Sequence, residues 1–390
     1  MRAEGIFGEA VDRIGGEPIS ARMARKAPVR HLDLTLLVVT LLLSAFGALM
    51  IYSATVHQQT TAGIDPYLRK QLIYMVVGFV VLLAVAVFDY RYLRTFAAFI
   101  YGGIILGLLI VLSPIGSTQL GATRWIDLGS FQVQPSELAK IGIIITLAAY
   151  LAQRKGEVRA RDVAVCCATV AVPAALIFLE PDLGTALVFV AILATMFLVA
   201  GAKIRHFIAL AVLGLMVIVG SLHFGLVKQY QIDRFTAFLN PRPDVRSIGY
   251  NLTQAKIAIA SGGIQGKGLE GKNTQTSLNF VPEQHTDFIF TAVGEQLGFL
   301  GSATLLGLFA LLIWRALRIA TMSRDSFGTL LACGIVALWA FQIFVNVGMT
   351  MGIMPITGIP LPFISFGGSS LITNFASIGF LLNVHMRRFL

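Results

Sequence analysis

Solid apolar runs, each about as long as a bilayer's hydrocarbon core is thick, leave this chain few ways to fold. They fall at Leu32–Ala54, Leu68–Phe88, Thr95–Ile115, Ser136–Ala152, Val163–Leu179, Gly184–Ala200, His206–Val227, Asp287–Ile313, Phe327–Met349 and Leu371–His385. About 20 apolar residues in a helix cross roughly 30 Å of hydrocarbon. An outer-membrane barrel would instead show short alternating segments. Of the 390 residues, 56% are hydrophobic and 13% charged. A water-soluble domain carries about 25% charged residues, so this chain could not cover a wetted surface. The sequence predicts an all-α polytopic integral membrane protein of about ten transmembrane helices.

The formal net charge is +10. The basic residues are spread over short loops, a pattern of membrane orientation, so nucleic acid is not an expected partner. If the chain alternates sides, one face carries Arg22, Arg25, Lys26, Arg30, Arg91, Arg94, Arg154, Lys155, Arg159, Arg161, Lys203, Arg205, Arg315, Arg318, Arg324, Arg387 and Arg388. The opposite short loops hold Arg69, Lys70 and Arg124. The N and C termini are therefore expected to be cytoplasmic. Residues 1–31 lack the apolar middle of a signal peptide and read as a flexible cytoplasmic tail ahead of a membrane domain over 32–390. The three cysteines, Cys166, Cys167 and Cys333, all sit inside apolar runs and suggest neither disulfide nor metal.

The longest connection, residues 228–286, joins the seventh and eighth spans and falls on the extracytoplasmic side. At roughly sixty residues it far exceeds what two helices need, and such loops are usually functional. It ends in "VPEQHTDFIF", which crowds Glu283, His285 and Asp287 against a re-entering apolar segment. Asp287 could be a helix-end charge favoured by the dipole. It could equally be a partly desolvated general base for a sugar hydroxyl carried on a lipid. A metal held by Glu283, His285 and Asp287 would want an extended stretch and further ligands, and no partner cluster is evident; no metal site is assigned.

Other polar exceptions gather near the same side. "QPSELAK" opens the fourth span, with Glu137 and Lys140 on one helix face. They could be a self-neutralising structural pair or, as costly intramembrane charges, part of a binding site. "GATRWIDLG" offers the Arg124 guanidinium, suited to phosphate oxygens, beside an interfacial Trp125. "ASGGIQGKGLEGKNT" fails as a nucleotide-binding loop, since Ser261 takes the first glycine position and Gly268 follows Lys267. It could still be a flexible lid bringing Lys267 and Lys272 to an anion. The preceding "YNLTQAKIAIA" has the pattern of a short interfacial helix. "ITGIPLPFISFGGSS" either cradles a diphosphate on its amides or simply ends one helix and caps the next with Ser369 or Ser370. "EPDLGTA" turns the chain between spans five and six.

Together "GATRWIDLG", "QPSELAK", "EPDLGTALVF", "PEQHTDFIF" and "GIPLPFISFGGSS", in this order on a ten-span pattern, resemble the SEDS family of bacterial cell-wall polymerases. The resemblance runs from Leu32 onwards, and "GYNLTQAKIAIASGGIQGKG" is more similar to its elongation branch, RodA, than to its division branch, FtsW. It implies a peptidoglycan glycosyltransferase of the bacterial cytoplasmic (inner) membrane, acting on its outer face. It implies Asp287 as the essential acid and Glu137 with Lys140 as the charged pair lining the cavity. Arg124, Lys267, Glu283, His285 and Ser369 complete the expected substrate site. The implied substrates are Lipid II and a glycan on undecaprenyl diphosphate, and the implied partner is an activating class B penicillin-binding protein in an elongation complex. No nucleotide is required, and a divalent cation is a candidate cofactor that could help the diphosphate leave. The competing class is transport, a lipid-precursor flippase or permease, which would be expected to show midplane charges and inverted repeats with paired broken helices. A scaffold that only recruits cell-wall enzymes would not need the carboxylate at the loop–span junction.

Overall fold

The computed structural model describes residues 32–56, 66–119, 122–129, 131–154, 158–225, 227–239, 248–269, 271, 274–276, 278 and 284–389. The tail of residues 1–31, Lys272 and Glu283 lie outside the described residues.

Every apolar run becomes an α-helix. In chain order these are α1 (Leu34–Thr55), α2 (Pro66–Val87), α3 (Arg91–Leu112), α4 (Pro135–Leu151), α5 (Ala160–Leu179), α6 (Leu183–Val199) and α7 (Ile204–His223). Two shorter helices, α8 (Gln229–Leu239) and α9 (Ile248–Ser261), lie in the long connection, followed by α10 (Ile289–Thr321), α11 (Ser326–Met351) and α12 (Gly368–Met386). Seven of these are long and apolar enough to cross a membrane: α1, α2, α3, α5, α7, α10 and α11. Helix α6 is apolar but shorter.

The chain is not all-α. Between α3 and α4 lies a three-stranded antiparallel sheet, β1 (Gly116–Gln119), β2 (Ala122–Leu128) and β3 (Phe131–Val133), in the order β1-β2-β3. Ser117 pairs with Trp125, and Ile126 pairs with both Gly116 and Val133. The alternating "TRWIDL" between glycines is a strand pattern. Read only for its arginine and tryptophan, it passes for an irregular loop.

Helices α4 and α11 form the centre. Nearly all of α4 is buried, and α11 buries Trp339 completely, its indole Nε1 donating to Asn374 Oδ1 at 2.8 Å. Around them α12 packs on α2, α3 on α4, α6 on α11, and α10 on both α11 and α1. Helix α7 buries only His206 and shows apolar side chains all round, as a helix facing lipid does. The segment read as a short interfacial helix becomes α9; its buried face of Leu252, Ala255 and Ala258 packs against α10 and α11, while Lys256 and Ile257 stay exposed.

Side-chain bonds define two ends. At one, Arg315 bonds Asp33, Tyr90 bonds Asp325, Arg387 reaches Asp89 at 3.3 Å and Arg154 reaches Asp162 at 3.0 Å. This is the basic end. At the other meet the sheet, the Glu180–Asp182 turn and residues 284–288 and 356–366.

Candidate functional site

Asp287 sits in a turn over residues 284–288, just before α10 begins at Ile289. Three successive carbonyls of this turn are held, two by chain that follows α11 and the third by Asn346 of α11 itself. His285 O accepts from the Phe366 amide at 2.9 Å, and Thr286 O from the Ser365 hydroxyl at 2.6 Å. Asp287 O accepts from Asn346 Nδ2 at 2.9 Å, which also donates to Ile359 O at 2.8 Å. Gln284 ties the near side, its amide donating to Thr276 O at 2.8 Å and Ala54 O at 3.3 Å. The His285 ring lies 4.6 Å from Tyr67 and 5.8 Å from Phe366. Two motifs far apart in sequence, "EQHTDF" and "GIPLPFISF", are therefore one structure.

The Asp287 side chain is half-buried and faces Gly358. Gly358 has φ +72°, and a Cβ placed on it would lie 3.2 Å from Asp287 Oδ2 and 3.7 Å from Arg234 Nη1. The carboxylate and the Arg234 guanidinium of α8 thus flank the same point. Sequence reading missed Arg234. Its clue was the spacing from Tyr230, whose ring it covers at 5.6 Å.

Beside it is the turn between α5 and α6. Arg124 does not present an open guanidinium: Nε donates to Glu180 O at 2.9 Å and Nη2 to Pro181 O. Tyr230 also donates to Pro181 O, at 2.8 Å. Asp182 caps α6 through the Thr185 amide at 3.1 Å. Glu180 is 1% exposed, and neither carboxyl oxygen has a hydrogen-bond partner among the described residues. Burial, then the nearby Asp182 charge, pushes its carboxyl up to about 8, against a smaller lowering by Arg124.

One turn into α4, Lys140 Nζ meets Glu137 Oε1 at 2.5 Å with both side chains buried. The start of α4 is fixed from above by Ser369. Its hydroxyl accepts from the Gln134 amide at 2.9 Å and donates to Gln132 O at 3.1 Å. Ser369 therefore links α12 to β3 and does not cap α12, whose N-cap is Gly367 without a side-chain bond.

Residues 263–268 of the glycine-rich stretch are docked on α10. Helix α10 is broken at Gly298 (φ 65°, ψ −157°), and the backbone groups freed there pair with residues 263–268. Lys267 N donates to Glu295 O at 3.0 Å and Gly268 N to Gln296 O at 2.9 Å. Phe299 N donates to Gly263 O at 2.9 Å and Leu300 N to Ile264 O at 3.1 Å. A Cβ on Gly266 would fall 2.2 Å from Gln296 O, so only glycine permits this approach. Lys267 Nζ meets Glu295 Oε1 at 3.0 Å. The same carboxylate accepts from the amides of Gln275 and Thr276 at 2.8 and 2.9 Å and from the Thr276 hydroxyl at 2.7 Å. Glu295 went unremarked in the sequence, although an ionisable residue inside an apolar run is itself a signal.

Among the described residues no three His, Cys, Asp or Glu side chains converge as a metal site would require. The structure brings Asp287 and His285 into one turn. It places Arg124, Lys140, Lys267 and Ser369 in separate, already bonded positions.

Residues 33–389 match the family model for the FtsW/RodA/SpoVE cell cycle proteins. The chain is 38% identical over 366 residues to the probable peptidoglycan glycosyltransferase FtsW of Geobacter metallireducens, covering 92% of this chain and 96% of that protein. It is 36% identical over 360 residues to the peptidoglycan glycosyltransferase MrdB of Escherichia coli K12, covering 92% and 94%. It is also similar to a chain solved in work on the coordination of polymerization and crosslinking by a peptidoglycan synthase complex. That match has TM-score 0.76 and 31% identity, covering 92% of this chain and 98% of the other.

Proposed function

The chain belongs to the FtsW/RodA/SpoVE family, and from that premise we propose that it polymerises Lipid II into β-1,4 glycan as a multi-pass peptidoglycan glycosyltransferase. The placement of Asp287 carries the mechanistic part. A half-buried carboxylate on a turn pinned at three consecutive carbonyls is held in place before any substrate arrives.

Asp287 takes the proton of the GlcNAc 4-hydroxyl of Lipid II as that oxygen attacks the anomeric carbon of the growing strand. The bond to undecaprenyl diphosphate breaks in the same displacement, inverting α to β. Arg234, across Gly358 from Asp287, is the cation best placed to offset charge developing nearby. Arg124 contributes by shaping the Glu180–Asp182 turn, and Lys267 by closing the outer loop on Glu295. The buried Glu137–Lys140 pair, neutral as a whole, is a candidate lining of the substrate cavity. Glu283 and His285 flank the base in sequence, and Ser369 holds the rim between β3 and α12.

The ten helices that replace the apolar runs act as ten crossings of the cytoplasmic membrane. The basic end, with both termini, faces the cytoplasm, and Asp287 faces out. The chain serves the elongation branch and works with a class B penicillin-binding protein. The single break in α10 does not favour transport, because its freed groups are satisfied by the docked glycine-rich stretch.

The test is glycan formation from purified Lipid II by the protein co-purified with its transpeptidase, wild type against Asp287→Asn. The variant keeps the shape, and its rate is expected to drop about 100-fold or more. Equal polymerisation by both would make Asp287 a helix-end charge. Failure of both, alongside lipid flipping in vesicles, would move the chain to the transport class.

A further inference from the structure

A cavity of about 750 Å³ opens at the basic end, remote from Asp287. Its wall is made by Arg91, Arg94 and Thr95 of α3, Gln153 beyond α4, and Arg324 with Asp325 in the α10–α11 turn. Three other arginines of this end are compensated, Arg154 by Asp162, Arg315 by Asp33 and Arg387 by Asp89. Arg94 and Arg324 have no ion pair or hydrogen bond with any described residue. Arg91 lies with its guanidinium 6.0 Å from the Tyr90 ring centroid. Asp325, the acid in the wall, accepts the Tyr90 hydroxyl. The cavity therefore holds an excess of guanidinium charge in one concavity.

Orientation in the membrane needs only the number of cations near each loop, not their convergence. Convergence raises mutual repulsion, which an anion would relieve. Two helix starts add to the field. Helix α3 begins at Arg91 and α11 at Ser326; the Arg91 amide donates to Asp89 Oδ1 at 3.0 Å, while Asp325 at the N-cap of α11 makes no side-chain bond to the helix amides, so the α11 start contributes most of this field. Guanidinium groups match the oxygens of a phosphate in paired hydrogen bonds. On the adjoining face of α3, Tyr92, Phe96 and Phe99 are exposed, so an apolar lane runs beside the charged one. A cavity with a cationic wall and a neighbouring apolar helix face fits a ligand that is both phosphate and lipid.

We infer that this cavity is a phosphate site, filled in the membrane by the headgroup of an anionic phospholipid whose acyl chains lie along α3. The site is independent of the role of Asp287. It would couple the seating of α3, α4 and the α10–α11 turn to the charge of the surrounding leaflet.

The experiment measures the thermal stability of the full-length protein in neutral detergent, titrated separately with phosphatidylglycerol, phosphatidylcholine and sodium pyrophosphate. Native mass spectrometry counts retained lipid. The variants are Arg94→Gln/Arg324→Gln, its lysine counterpart Arg94→Lys/Arg324→Lys, and Arg205→Gln, an exposed cation of the same end outside the cavity. Phosphatidylglycerol is expected to stabilise wild type and Arg205→Gln, and phosphatidylcholine to leave both unchanged. The double glutamine variant should need about tenfold more phosphatidylglycerol for the same effect, and the lysine variant less than that. An unshifted melting temperature of the double variant without lipid confirms that it is folded; single variants with partial losses serve if it is not. Stabilisation by pyrophosphate but not phosphatidylglycerol, lost in the double variant, keeps the phosphate site and overturns the lipid as its occupant. No response of wild type to either, or an undiminished response of the glutamine variants, overturns the site.

Discussion

Asn346, fully buried in α11, holds Asp287 and Ile359 together, its Nδ2 donating at 2.9 Å to the carbonyl of one and at 2.8 Å to that of the other. This amide thus adds a clamp between the turn that bears the acid and the stretch before α12, beside the Phe366–His285 and Ser365–Thr286 bonds. Replacing Asn346 by Leu keeps the volume and removes both donors. Each orphaned carbonyl costs about 1–3 kcal/mol, so Asp287 should drift from its position. Polymerisation is expected to fall about tenfold or more in kcat with a smaller change in KM, read from Lipid II turnover.

Gly358 leaves little room for a side chain. Its φ of +72° disfavours any Cβ, and that atom would press on Asp287 Oδ2. Gly358→Ala should cost about 1–3 kcal/mol of stability and suppress polymerisation while the chain still inserts and folds. Thermal unfolding and glycan yield measured on one preparation separate the two effects.

Removing Glu295 should hurt more than removing Lys267. The glutamate side chain is fully buried and satisfies donors from Lys267, Gln275 and Thr276, whereas the lysine is 34% exposed. Glu295→Ala is expected to cost about 3 kcal/mol and Lys267→Ala about 1 kcal/mol. Limited proteolysis should cut between residues 262 and 283 far faster in the Glu295 variant. Equal protection in both variants would show that the backbone pairing alone docks the loop.

Glu180 predicts a pH dependence of stability. Its folded carboxyl titrates at about 8, against 4.5 in an unfolded chain, so the folded state keeps a proton that the unfolded state releases. Its contribution is full below pH 4.5, declines as pH rises, and is gone above pH 8. Melting temperature should fall across that window in wild type and fall less in Glu180→Gln, which stays neutral throughout. Matching pH profiles would mean that Glu180 is ionised in the fold.

Sequence alone determined the membrane class, the positions of the ten apolar helices and the sorting of cations to one end, because each is a local property; the short α8 in the long connection was not legible in it. A run of apolar residues must become a helix in lipid whatever it packs against, since no other segment satisfies its own backbone there. The resemblance in the motifs also carried Asp287 and the Glu137–Lys140 pair, whose spacing of three already set them on one face. Only the tertiary structure decided what surrounds them. That Arg124 serves backbone carbonyls, that Lys267 belongs to Glu295, and that Arg234 and Asn346 stand at Asp287 depend on partners distant in the chain. The same holds for the break in α10 and the glycine-rich stretch. Each has unpaired backbone groups by itself, and neither is stable in an apolar setting until the other supplies the missing hydrogen bonds.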